Sequence, residues 1–338
     1  MAYITLNKQH FFTNLDIIAK LTKSKDKIAL VLKDNAYGHG LCEVAKLAKE
    51  YGITKAIVQL EKEAIQIEDF FEYVLILADT PKTPTEKFFY TINELDMICK
   101  FPKNTQVELK VNTGMNRNGI EMHQLEEALK LIQAHELHLR AIFTHHGCAD
   151  EINGHYEMQK KNFENLKKDA HQLLKDLQME DVSYHSANSA TLFREKSCSE
   201  DMARVGIAAY GTLELPFASQ ATQLKAILSV YAKRLSTRNV KKGSCIGYGA
   251  SFQTQEECVV STYDFGYGSG FLRSCSNNYK TPQGVEIVGR ISMDNSSFLS
   301  QEDELLIFND ARNLAKYADT ISYEVLTSLK AHLKRKII

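Results

Sequence analysis

The sequence predicts an α/β protein in which an N-terminal (β/α)8 TIM-type barrel precedes a mostly β C-terminal domain. Eight short apolar, β-branched runs recur through the first two thirds of the chain, most of them separated by longer stretches with apolar residues at helical spacing. Eight such units over roughly 215 residues suit a barrel of about 250. The full 338 residues leave room for a second domain at about 150 residues each.

Taken in order, AYITLN reads as a strand able to pair with the second domain. The barrel strands are IALVL (28–32), KAIVQ (55–59), YVLIL (73–77), FFYTI (88–92), VELKV (107–111), LRAIF (139–143), VSYH (182–185) and ARVGIAA (203–209). FFYTI could equally open a helix. LCEVAKLAKEYG, HQLEEALKLIQAHE and GHYEMQKKNFENLKKDAHQLLKDLQ are amphipathic helices between strands. From about residue 222 the texture changes, and QLKAILSVYAKRLS, GSCIGY, ECVVSTYDF, GVEIVGRIS and ELLIF follow one another through turns. TISYEVLTSLKAHLKR predicts a closing amphipathic helix with Thr320 as N-cap and Glu324, Lys330 and Lys334 along it. The barrel is therefore expected over residues 10–225, and the β-rich domain over 226–338 together with the strand in residues 1–9.

Composition excludes several classes of function. Lys and Arg total 41 against 42 Asp and Glu, a net charge of -1, so no field favours nucleic acid or an anionic membrane. No apolar run approaches the roughly 18 residues of a spanning helix, and the start lacks a signal-peptide layout. Seven cysteines without CxxC or metal-ligand spacing read as reduced thiols of a cytoplasmic protein. A small-molecule ligand is the expected partner.

Lys33 follows the first strand directly, at the barrel face where reactive groups gather. The loops after strands seven and eight commonly seat a phosphate. There Ser189 offers a hydroxyl, Gly206 and Ile207 offer backbone N–H groups, and Arg204 stands beside them. An amine, a phosphate cradle and a cation near a ring are the parts that hold a phosphate-bearing aldehyde cofactor. His145 and His146 with Asp150 look ligand-like, but neighbours on a strand face opposite ways, so no metal site is expected. His39, His123, His135 and His138 are expected at solvated positions.

VLKDNAYGHG, LKVNTGMNRNGI, IFTHHGCAD, YHSANSAT, ARVGIAAYG, IGYGASF, DFGYGSG, VGRISMDN and ISYEVL run in order from residue 28 to 325. Through them the chain resembles the alanine racemase family, fold-type III enzymes dependent on pyridoxal 5'-phosphate (PLP). The resemblance implies that Lys33 holds PLP covalently and serves as the base on one face of the substrate Cα. It makes Tyr248 the base on the other face, supplied by the second subunit of a head-to-tail homodimer. Arg117 would bind the substrate carboxylate beside Tyr248, and His145 would link Tyr248 to Arg204, the partner of the pyridine nitrogen. Tyr37, Ser189, Gly206, Ile207 and Tyr323 would hold the phosphate, with His185 and Asn188 in support. Met293 would receive the carboxylate through its N–H from the partner chain, while Tyr267, Arg290, Asp150 and Tyr323 narrow the entrance to alanine. Lys110 matches a lysine that some members carry as a carbamate. The implied role is supply of D-alanine for peptidoglycan.

Several positions depart from the family pattern: Asp34 for Ala, Asn112 for Asp, Val205 for Pro, Phe252 for Tyr, GYGSG for GYADG, and a tail without RVPR. Strand alternation predicts that Asp34 points outward. Asn112 and GYGSG bear on substrate range. A racemase acting on serine would share this machinery, whereas a non-catalytic PLP carrier would lack the second domain and Tyr248.

Overall fold

The computed structural model describes residues 1–179, 181–217 and 219–338. Eight parallel strands form a nearly closed barrel: Ile28–Val31, Lys55–Val58, Tyr73–Ile76, Phe88–Ile92, Gln106–Asn112, His138–Phe143, Ser183–His185 and Ala203–Val205. Strand eight pairs with strand one in register Ala203↔Ile28, and the ring narrows at an Asn188↔Arg204 bridge beside strand seven. FFYTI is a strand, fully buried. The eighth strand ends at Val205, because the chain turns at Gly206.

Period-two alternation sorts the strand residues between two layers. Ile28 and Leu30 pack outward under the helices, while Ala29, Val31, Ile57, Leu75 and Phe89 fill the lumen with Met202. Helices Leu41–Tyr51, Glu61–Ile67, Leu125–Ala134, His155–Asp176 and Ser189–Glu195 cover the outside. A 3-10 helix, Leu95–Lys100, follows strand four. Helix Lys8–Thr22 precedes the first strand and packs against it and against Ser189–Glu195. Its Asn7 cap accepts from the His10 N–H at 2.8 Å. Asn14, fully buried, donates to the carbonyls of Ala209 and Lys225 and accepts from the Lys225 N–H, tying the barrel to the chain that leaves it.

The C-terminal sheet is organised on the long strand Leu228–Val240, which pairs antiparallel with Tyr3–Leu6, Cys258–Tyr263 and Glu304–Phe308. Two helices, Ala311–Ala318 and Ser322–Ser328, interrupt it. The predicted closing helix is therefore corrected. It starts after Ile321, stops at Ser328, and the chain becomes strand Lys334–Ile337, parallel to Tyr3–Leu6. Pairing with the N-terminal strand overrides the helical spacing, and Thr320 bonds the Glu324 side chain instead of capping.

Candidate active site

Directly after strand one the backbone leaves the ordinary regions. Asp34, Asn35, Ala36 and Tyr37 have φ of 54, 56, 53 and 49°, a single left-handed turn. Such a turn costs roughly 1–2 kcal/mol per residue, so its surroundings must hold it. Glu63 accepts from the Asp34 N–H at 2.9 Å, and Asn35 Oδ1 accepts from the Leu41 N–H at 2.9 Å. From the C-terminal domain, Arg335 Nη2 donates to the Gly38 carbonyl at 2.8 Å. A Cβ on Gly38 would stand 2.0 Å from the Leu326 oxygen, so glycine alone permits the two domains to meet there. Although RVPR is missing from the tail, Arg335 makes this interdomain bond.

The turn presents Lys33 and Tyr37 to a cavity of about 490 Å³ at the carboxyl end of the barrel. Lys110, Arg117, His145, Asp150, Asn188, Ser189, Arg204, Gly206, Ile207 and Tyr323 line the same cavity. Four cationic side chains, Lys33, Lys110, Arg117 and Arg204, stand against two carboxylates, Asp34 and Asp150, so the cavity suits an anionic ligand. His185 lies just behind the wall, fully buried. Tyr248, Tyr267, Arg290 and Met293 do not line it within one chain; Tyr248 is 67% and Met293 57% exposed on the C-terminal domain.

One expectation about side-chain direction is corrected. Asp34 lines the cavity, its carboxylate 3.7 Å from the Lys33 amine, because strand one ends at Val31 and alternation no longer applies. His145 lines the cavity, whereas the His146 ring turns outward, Nδ1 3.1 Å from the Thr191 hydroxyl and edge-on to Tyr156 at 5.1 Å, so the two neighbours do point opposite ways. Among the described residues, no group of three His, Cys, Asp or Glu side chains could hold a metal ion. His39 is also not solvated. It is fully buried, stacked on Tyr210 at 4.3 Å, and burial lowers its pKa to about 4.

A polar network crosses the lumen beneath the cavity. Arg204 donates to the carbonyls of Thr144, His185 and Ser186 at 2.6, 3.2 and 3.1 Å, and contacts His185 Nδ1. His185 Nε2 meets Glu108 at 2.9 Å, and Glu108 accepts from the Tyr73 hydroxyl. Burial pulls Arg204 down to about 10, which leaves a guanidinium protonated at neutral pH, and it also lowers His185 despite the Glu108 charge. Glu108 and Tyr73 escape sequence reasoning. The available signal is that Glu108 shares its strand face with Lys110, an acid and a base two residues apart, each flanked by apolar residues.

Lys110 is 9% exposed, and burial with the charges of Arg117, Arg204 and Lys33 lowers its pKa to about 8. Burial, then Arg204, holds His145 well below the usual imidazole range and His146 at about 4, so both rings are neutral. Tyr37 and Tyr323, with ring centroids 5.7 Å apart, are both raised by burial and stay as phenols.

The residues fit PLP. A Cβ on Gly206 would stand 3.0 Å from the Tyr37 hydroxyl, so phenol and main chain converge on a cradle that a side chain would fill. Ser189 closes it, its hydroxyl accepting from the N–H groups of Gly206 and Ala208 at 3.2 and 3.4 Å. Asn188 caps the helix that begins at Ser189 and donates to the His146 carbonyl at 2.9 Å.

Comparison with known proteins agrees with this geometry. The family model "Alanine racemase, N-terminal domain" matches residues 6–214, and "Alanine racemase, C-terminal domain" matches 227–337. The chain is 41% identical over 335 residues to an alanine racemase of a Nitratiruptor species, covering 99% of each. It is 38% identical to one of Campylobacter concisus over the full length of both. The alanine racemase structure of Clostridium difficile 630 superposes with a TM-score of 0.90 at 25% identity, covering 100% of this chain and 95% of that one. With both domains matched end to end and a lysine-bearing, cation-lined cavity at the barrel mouth, the chain belongs to the alanine racemase family.

Proposed function

We propose that the protein interconverts L- and D-alanine as a PLP-dependent, two-base racemase, acting as a head-to-tail homodimer. The observation that carries this reading is the separation of its two candidate bases: Lys33 lies in the cavity, while Tyr248 lies exposed outside it. A site completed by Tyr248 of a second copy accounts for both positions. Exposed apolar groups on each side support the docking, with Tyr248, Tyr267 and Met293 on the C-terminal domain and Ile321 and Tyr323 at the cavity mouth.

PLP, when bound, supplies an electron sink for the charge left at Cα. Ser189, Tyr37, Gly206 and Ile207 hold its phosphate, with Tyr323 beside them. Arg204 donates to the ring nitrogen without releasing a proton, as a guanidinium must. Lys33 Nζ removes or returns the Cα proton on one face, and Tyr248 Oη of the second copy acts on the other. Arg117 and the Met293 N–H of the second copy hold the carboxylate. Tyr267, Arg290, Asp150 and Tyr323 restrict the entrance to a small side chain. Lys110 is placed to take up carbon dioxide and orient Arg117. The seven unpaired thiols suit a reducing cytoplasm, and the product suits peptidoglycan synthesis. No helix is long and apolar enough to cross a membrane, among the described residues.

The test is deuterium incorporation from solvent into each alanine enantiomer by wild type, Lys33→Ala and Tyr248→Phe, with borohydride trapping of the cofactor. Trapping at Lys33 is expected, with racemisation lost in both variants. Co-expressed Lys33→Ala and Tyr248→Phe chains should recover activity, since a hybrid dimer retains one intact site. Cofactor trapped on another lysine, full activity in Tyr248→Phe, or no recovery in the hybrid refutes the proposal.

A further inference from the structure

Helix His155–Asp176 carries an amide that a surface helix does not need. Gln159 is 1% exposed, and its side chain is spent on the main chain of the loop after strand six. Oε1 accepts from the Gly147 N–H at 2.8 Å, and Nε2 donates to the His145 carbonyl at 3.2 Å. One amide thus closes a ring across His146 and fixes the backbone from which His145 projects into the cavity.

One turn on, at the i+3 position that shares a helix face, Asn162 donates to the Thr113 carbonyl at 2.9 Å. Thr113 belongs to the loop that carries Arg117. The two loops are joined again by Thr113 and Thr144, whose hydroxyls meet at 2.8 Å, with Thr144 donating on to the Val111 carbonyl. The Thr144 carbonyl accepts from Arg204. Gln159 thus holds the His145 loop, while Asn162 and the Thr113–Thr144 pair hold the Arg117 loop and the Arg204 contact.

We infer that Gln159 is a positioning residue for the Tyr248 half of the reaction, setting His145 through its backbone without touching substrate or cofactor. The inference rests on the two-base reading above. An amide can accept and donate at once, whereas a carboxylate only accepts. Gln159→Glu thus keeps the bond from Gly147 but sets an oxygen against the His145 carbonyl. Lys33, on its own turn across the cavity, keeps its supports, Glu63, Asn35 and Arg335.

Exchange and racemisation in deuterium oxide, followed from each pure enantiomer with cofactor absorbance and dimer content recorded, tests this. Because displacing a reacting group by about 1 Å can cost ~100-fold, racemisation should fall at least about tenfold in Gln159→Glu. From one enantiomer only, Cα exchange with retention should persist, since the Lys33 face still works; cofactor absorbance should be unchanged. Gln159→Met, which removes both bonds at similar volume, should show the same asymmetry and serves if the glutamate variant does not fold. Equal loss of exchange from both enantiomers, or unchanged rates, overturns the inference. Absence of solvent exchange in the wild type would instead overturn the two-base reading.

Discussion

Replacing Lys110 with methionine removes a buried amine while keeping a similar volume. The amine is held at about 8 against an ordinary 10.5, chiefly by burial and then by Arg117, Arg204 and Lys33. At 1.36 kcal/mol per pH unit, that difference corresponds to about 3 kcal/mol against the folded state. The sign follows from which state holds the proton. Below pH 8 folded and unfolded chains are both protonated at Lys110, and the full cost is present. Between 8 and 10.5 only the unfolded chain binds the proton, so stability rises with pH; above 10.5 the cost is gone. Urea unfolding in buffer depleted of carbon dioxide should therefore find Lys110→Met more stable than wild type by up to about 3 kcal/mol at pH 6.5, with the gap closing as pH climbs past 8. The same shift leaves roughly a quarter of the amine neutral at pH 7.5, against about one in a thousand for an unperturbed lysine. Neutral amine and carbon dioxide give a carbamate and a proton, placing an anion among cations. Bicarbonate should accordingly raise wild-type stability and leave Lys110→Met unmoved, and 13C-bicarbonate should yield a carbamate carbon resonance in wild type alone. A stability gap independent of pH, or a wild type more stable at pH 6.5, would refute the electrostatic reasoning.

Gly206→Ala sets a methyl 3.0 Å from the Tyr37 hydroxyl; displacing one neutral hydrogen-bond donor should weaken PLP binding by about 1 kcal/mol, or roughly fivefold, in equilibrium dialysis, with the melting temperature of the apo protein little changed. Glu108→Leu removes the acceptor of His185 and Tyr73 and one of the two carboxylates, with Glu200, that offset the Arg204 charge. Leaving those buried donors unpaired should cost about 1–3 kcal/mol in urea unfolding, and unchanged stability would show that the network is dispensable. His39 is lowered to about 4 from 6.5, so the unfolded chain binds its proton first as pH falls from 6.5 to 4, and stability is lost across that window. His39→Phe should flatten this part of the stability profile, and an unchanged acid slope would exclude His39 as its source.

Much of the architecture was legible in the chain because local patterns are sufficient for it. β-branched runs such as IALVL and YVLIL are strands wherever they are buried, and HQLEEALKLIQAHE has one apolar face that only a helix can bury. The cavity-lining residues Lys33, Arg117, Ser189 and Arg204 were legible because the motifs around them retain the family's spacing. Legibility failed where an element ended earlier than its pattern. Asp34 was read by strand alternation, yet strand one stops at Val31. The C-terminal tail failed for the converse reason, since the N-terminal strand, more than 300 residues away in sequence, captures Lys334–Ile337.

By itself the sequence determined the barrel, the second domain, and the lysine and loop segments that line the cavity, since each depends on residues close together in the chain. Only the tertiary structure decided three other things. These are the left-handed turn that aims Lys33 and Tyr37, the Arg204–His185–Glu108–Tyr73 network, and the seat of Tyr248 outside the cavity of its own chain. The physical reason is common to all three. A strained backbone, a buried charge and an exposed phenol are each unfavourable or unremarkable locally, and what compensates or completes them comes from distant segments: Arg335 at Gly38, Glu108 at His185 and, on the proposed reading, a second copy of the chain at the cavity mouth.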